Sequence, residues 1–166
     1  MSVRSLSTND IEEFYPVFSS VLQTEFPGYA PTIVKYLLTR IYTAPTFKFW
    51  LQREEKCILG AYHNNQIIGF AVIDSPYGGV SLCRWLGVQR DYQRKGYGTA
   101  LIRAWNESAM TQKTHKMEVA GQPKSKEFYE KMGFAHEGLR KKSYFGIDQY
   151  LFGKVIAEPN AVNMTQ

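Results

Sequence analysis

The stretch "VQRDYQRKGYGTALIRAW", residues 88–105, decides the fold. An apolar run ends at Val88, and a loop then carries Arg90, Arg94 and Lys95. Gly96 and Gly98 open a segment in which Leu101, Ile102, Trp105 and Ala109 recur at helical spacing. The first amides of such a helix have no partner within it, and its dipole favours negative charge at that end. Glycine lacks a Cβ, so the backbone there can adopt unusual dihedrals and approach a ligand closely. The unit therefore reads as a phosphate-binding turn, with Arg94 and Lys95 adding full charges beside it. Two other phosphate loops are excluded: a dinucleotide fingerprint needs a third glycine near Ala100 or Leu101, and a Walker loop needs GK[ST].

Upstream, Asn9 or Asp10 before Glu12 and Glu13 caps a helix with Ile11, Phe14, Tyr15, Phe18, Val21 and Leu22 on its apolar side. Pro16 is predicted to shorten or kink it. "FPGYAP" breaks that helix. Val34, Leu37, Leu38, Ile41 and Tyr42 mark a second, which "TAPT" is predicted to end. From Lys56 the period changes: "CILGAY", "QIIGFAVID" and "GVSLCRWLGV", separated by "HNN" and "SPYGG", read as an antiparallel meander. Beyond the central helix come a strand at "HKMEVA", a short helix at "KSKEFYEKMG", and strands at "FAHEGL" and "DQYLFGKVI", with one more strand at "SVRSL". The chain is thus an α/β protein of the α+β type. A mixed, mostly antiparallel sheet of six to seven strands should be flanked by about four helices, in one domain over residues 1–156 with a polar tail at 157–166.

At 166 residues, 44% hydrophobic and 21% charged, the chain is long enough to bury about 70% of its unfolded surface. No apolar run approaches the ~18 residues of a membrane span, and "MSVRSLSTND" lacks the apolar core of a signal peptide, so a cytoplasmic protein without a membrane partner is expected. Cys57 and Cys83 lie in apolar runs without CxxC spacing, which argues against a disulfide framework and against a metal. The net charge of +5 gathers partly at Arg90, Arg94 and Lys95 and partly at Arg140, Lys141 and Lys142. Aromatic residues follow the apolar periodicities and do not interleave with Lys and Arg on one strand face, so nucleic acid is not an expected partner.

The pattern Q-x-x-G-x-G, here Gln93-Arg94-Lys95-Gly96-Tyr97-Gly98 after a strand ending in "LGV", resembles the acetyl-coenzyme A loop of the GCN5-related N-acetyltransferase (GNAT) superfamily. "EVAGQPKSKEFYEKMGF", with Glu118, Tyr129, Gly133 and Phe134, is similar to a later segment of that family. The resemblance spans roughly residues 1–155. It departs at Gln122-Pro123, where the family often carries an asparagine, and at "CRW", where one branch carries a carboxylate. The resemblance implies acetyl-coenzyme A as co-substrate, with loop groups of Gln93, Arg94, Lys95, Gly96, Tyr97, Gly98 and Thr99 at its pyrophosphate. It further implies main-chain groups of Leu86 and Val88 along the pantetheine arm, an oxyanion-binding amide near Val88, and Gln122 in the asparagine's stead.

Acetyl transfer from a thioester to an amine sets three demands. The amine must lose a proton, its ammonium having a pKa of about 10.4 for a lysine. Charge on the carbonyl oxygen needs stabilising, and the departing thiolate needs a proton. Tyr129 is the candidate proton donor, set against an ordinary amphipathic role beside Phe128 and Met132. Glu118 is the candidate base, set against an ion pair with Lys116 or Arg84 and against an ordered water; Asp74, Asp91 and His115 are lesser candidates. Cys83 has the chemistry of a nucleophile but the setting of a small core residue, so direct transfer in a ternary complex is expected. "TEFPGYAP" and "SYFGIDQ", with Phe26, Tyr29, Trp85, Tyr144 and Phe145, should build the acceptor pocket. The acceptor is a primary amine: a small amine, an amino acid, or a peptide or protein N-terminus or lysine. A non-catalytic acyl-coenzyme A-binding or partner-docking module is the alternative. Relatives commonly form homodimers; the sequence leaves the oligomeric state open.

Overall fold

A computed structural model describes residues 1–165. Strands β1 (Ser2–Ser5), β2 (Lys56–His63), β3 (Gln66–Asp74), β4 (Val80–Val88), β5 (Lys116–Gly121), β6 (Ala135–Arg140) and β7 (Gln149–Val155) form one open sheet in the order β1-β2-β3-β4-β5-β7-β6. Every neighbouring pair is antiparallel except β4 with β5. On one face lie α1 (Ile11–Glu25), α2 (Pro31–Tyr36), which runs into a π-helical turn at Leu37–Ile41, and α3 (Ala44–Gln52). On the other lie α4 (Tyr97–Thr111) and α5 (Lys126–Lys131), and α6 (Ala161–Met164) follows the sheet.

Each face of the sheet carries its own core. Phe14, Phe18 and Leu22 of α1 and Phe47 of α3 pack on Ile58, Phe70 and Val72. Leu101, Ile102 and Trp105 of α4 pack on Leu59, Ala71 and Ile73, and this core continues through Val119, Tyr129 and Phe152. With helices on both faces, the central strands need apolar residues at both parities. Ile67 and Ile68 are successive, both buried, and belong to opposite cores. Burying each such side chain contributes about 1.5–3 kcal/mol.

Two helix expectations are corrected. Pro16 neither ends nor shortens α1, which runs unbroken for 15 residues. The proline is exposed, so the carbonyl whose helical donor it lacks lies toward water. "TAPT" does not merely stop a helix: it starts α3, a helix the sequence reading did not anticipate. Thr43 Oγ1 accepts the Thr46 N–H at 3.2 Å, and Pro45 sits in the first turn, where no donor is needed. The tail expected at 157–166 contains the α6 turn; its last residue, Gln166, lies outside the described residues.

Candidate active site

Strand β4 begins paired to β5 and then leaves it. Their parallel register covers only Val80–Cys83 against Lys116–Val119. On the β3 side the register slips at the same place, since Cys83 pairs with Ile73 while Trp85 pairs with Val72, so Arg84 is the extra residue of a bulge. A bulge bends its strand and ends pairing locally. Beyond it the two strands splay into a cleft of about 950 Å³.

Parity shows which main-chain groups face that cleft. Gln89 N–H donates to Ile68 O at 2.9 Å, toward β3. In an antiparallel strand both polar groups of a residue point the same way and successive residues alternate. Gly87 and Trp85 therefore bond toward β3, whereas Leu86 and Val88 turn their main chain to the gap. Val88 O accepts from Gln93 Nε2 at 2.9 Å, which leaves its N–H aimed at the opening.

At the C-terminal end of β4 the glycine turn makes a row of donors. Gly96 caps α4 with φ 89°, a left-handed conformation open to glycine, and Arg94 adopts φ 61°. Ala100 N–H donates to Gly96 O, but among the described residues none of the six amides from Arg94 to Thr99 donates to a protein acceptor. Such a row binds an anion, a phosphate most naturally. The turn is held from both sides. Gln93 gives its side-chain amide to Val88 O and to Glu25 Oε2, each at 2.9 Å. Buried Tyr97 meets His63 Nδ1 through its hydroxyl at 2.7 Å. The side chains of Gln93 and Tyr97 are thus structural pins, and what these residues present to a ligand is main chain. Gly98 has a different constraint: a Cβ there would lie 3.2 Å from Phe128 of α5, so the glycine lets the two helices meet.

Tyr129 borders the cleft from α5, packed 5.0 Å from the Phe152 ring and 5.6 Å from Phe134. Burial, reinforced by nearby Cys83, raises its phenol well above the ordinary value, so it stays protonated at any physiological pH. Burial likewise raises the Cys83 thiol, which donates to Trp85 O at 3.3 Å. A thiol held neutral in this way is a poor nucleophile. Gln122 Nε2 is buried in the cleft wall without a partner among the described residues, an orphan donor that a ligand there would satisfy.

Glu118 lines the cleft with its carboxylate 3.0 Å from Lys116 Nζ, which also reaches Glu137 at 2.9 Å. The pairing weighed in the sequence is therefore present. Asp74 is tied to Lys56 and Arg84, and Asp91 is exposed beside the loop. Neither lines the cleft, and neither does His115, which precedes β5.

Opposite the phosphate end, Phe26, Tyr29, Trp85, Tyr144 and Phe145 come together as one wall. Trp85 is its hub, 5.2 Å from Phe26 and 5.5 Å from Tyr42, both near-perpendicular. Tyr42, Gln149 and Lys124 also border the cleft and were not singled out in the sequence. Lys124 Nζ crosses to α1, donating to Glu25 O at 2.7 Å. A chain separation of 99 residues left no local signal for that contact.

This architecture has known counterparts. The model of the acetyltransferase (GNAT) family matches residues 18–134, and the chain belongs to that family. The PaiA N-acetyltransferase of Thermoplasma acidophilum, solved in complex with coenzyme A, superposes with a TM-score of 0.80 at 17% identity, covering 94% of this chain and 100% of that one. The ribosomal-protein-alanine N-acetyltransferase of Brucella melitensis gives 0.74 at 17% identity over 94% and 100%. The ribosomal-protein-S18-alanine N-acetyltransferase of Escherichia coli gives 0.69 at 17% identity over 96% of each chain. At these identities the likeness is one of fold. No curated relative matches the sequence. Among the described residues no helix is long and apolar enough to cross a membrane.

Proposed function

We propose that the protein is an acetyl-coenzyme A-dependent N-acetyltransferase that passes the acetyl group directly to a primary amine within a ternary complex. The observation that carries this is the row of six unpaired amides, Arg94 to Thr99, standing at the mouth of the β4–β5 gap. A diphosphate held by that row, with Arg94 and Lys95 beside it, leaves the gap free for a pantetheine arm. Leu86 and Val88 supply main-chain partners along it, and the Gln122 amide adds a donor. With the thioester lying along this edge of β4, a cleft-facing main-chain amide near Val88 can stabilise charge developing on the carbonyl oxygen.

The acceptor nitrogen attacks as the free amine; its C–N bond forms as the C–S bond breaks. Tyr129 holds a proton on its neutral phenol and gives it to the departing sulfur. Glu118, directly or through water, takes the proton lost by the amine. Because Cys83 stays a thiol, the acetyl group moves in one step with no stop on the protein.

A panel of primary amines assayed by free-thiol release tests this reading. Acceptor-dependent release supports it. Saturable coenzyme A binding without release on any acceptor favours the second reading, an acyl-coenzyme A-binding module, for which the capture of Glu118 by Lys116 speaks.

A further inference from the structure

Among the described residues, two buried polar atoms at the acceptor end lack a hydrogen bond of good geometry. Trp85 is 7% exposed, and its Nε1 is buried near the Tyr42 hydroxyl, without an acceptor in good bonding geometry among the described residues. Gln149 Oε1 is buried with no donor in bonding geometry. Both residues line the cleft, and Tyr29 links them: its ring is 5.8 Å from Trp85 and its hydroxyl lies beside Gln149. A donor and an acceptor flanking one ring complement a single peptide unit, whose C=O takes the indole N–H and whose N–H gives to the glutamine.

Charge at this end is mostly spent. Glu118 and Glu137 share Lys116, and Asp74 is held by Lys56 and Arg84. The basic run Arg140, Lys141 and Lys142 is different. All three are exposed, none joins an ion pair among the described residues, and Arg140 lines the cleft itself. The one carboxylate in the same turn, Asp148, accepts the Lys142 main-chain N–H at 2.8 Å. The cleft therefore has a neutral, amide-matching interior and a basic rim.

We propose that the acceptor is the amino end of a peptide whose first peptide unit seats between Trp85 and Gln149 and whose following residues are acidic. This rests on the acetyltransferase reading and narrows its acceptor. A simple alkylamine leaves both buried atoms unpaired. A free amino acid sets a carboxylate against the glutamine oxygen. A lysine within a chain brings methylenes to the depth where the peptide unit belongs.

Calorimetric titration of the full chain, with coenzyme A present, compares Ala-Glu-Glu-Glu-Ala, Ala-Lys-Lys-Lys-Ala, alanine and butylamine; free-thiol release is read in parallel with acetyl-coenzyme A. The acidic peptide should bind about tenfold tighter than the basic one at low salt, with the gap closing as salt screens it. Joint Arg140→Glu, Lys141→Glu and Lys142→Glu changes should reverse that order. Gln149→Leu should weaken both peptides by about tenfold and leave the order intact. Equal binding of the two peptides, preference for the basic one, or butylamine binding as tightly as peptide would overturn the inference. Thiol release with butylamine alone would sink it while leaving the acetyltransferase reading in place. Tight binding of the acidic peptide without release on any acceptor would sink the acetyltransferase reading and the acceptor role with it, leaving only a peptide seat.

Discussion

At one end of the cleft the groups that face inward belong to the main chain: the amides from Arg94 to Thr99 and the free edge of β4 at Leu86 and Val88. At the other end they are side chains drawn from widely separated segments, Phe26 and Tyr29 after α1, Tyr42 before α3, Trp85 on β4 and Gln149 on β7. The first end depends on backbone conformation and tolerates drift in most side chains. The second is defined by side-chain identity, so its specificity can change by substitution while the sheet stays as it is. A common cofactor end and a variable acceptor end are what this division would produce in a family.

The comparison breaks most sharply at Gly98. Gly98→Trp should weaken coenzyme A binding by at least about 100-fold, since the new side chain fills the approach to the amide row and a Cβ alone already presses on Phe128. Circular dichroism on the same preparation separates loss of binding from loss of fold. Tyr129→Phe, at the junction of the two ends, should lower kcat by about 10- to 100-fold, the contribution of a positioned acid, with coenzyme A affinity unchanged. Stopped-flow release of thiol measures the first and calorimetry the second.

At the acceptor end, Phe145→Ala removes a ring 6.4 Å from Tyr29 and 6.4 Å from Tyr36. Acceptor KM should rise by about fivefold, the worth of an aromatic contact, with no change in cofactor Kd. Lys124→Met releases the link to Glu25 O, so coenzyme A should dissociate about threefold faster, in keeping with one partly exposed hydrogen bond.

The smallest expected effect is one of pH. Burial disfavours the charge on Glu25, but hydrogen bonds from Gln93 and Thr24 and the charge of Arg90 outweigh it, so its pKa is lowered. A depressed carboxylate contributes stability that is fully present above its unfolded pKa of about 4.3 and is lost as pH falls through the lower folded value. Tm should therefore fall on acidification from pH 5 to pH 3, and less steeply in Glu25→Gln.

What the sequence disclosed follows the same division. Gln93, Gly96 and Gly98 lie within six residues, and the conformations they permit are local, so the turn could be read as a candidate anion site before any fold was known. The order of elements along the chain could be anticipated from apolar runs and turn residues, but not the insertion of β7 between β5 and β6. The acceptor wall was legible only in part: "TEFPGYAP" and "SYFGIDQ" pointed to it, but Tyr42 was assigned to a helix that turns π-helical before reaching it, with Tyr42 N–H bonded to Leu37 O. Thr43 and Pro45 were read as a stop because a threonine–proline pair serves either to end a helix or to begin one. Gln149 entered only as the last residue of "SYFGIDQ" and Lys124 was not named as a site residue, since their significance lies in what stands across the cleft.

Amide chemical shifts of the labelled protein, followed during titration with coenzyme A and separately with acetylpantetheine, address the central claim most directly. The N–H resonances of Arg94 through Thr99 should move downfield with coenzyme A and stay in place with acetylpantetheine, which has the thioester arm and no diphosphate. Perturbation of those six by neither ligand, with binding visible elsewhere, would contradict it.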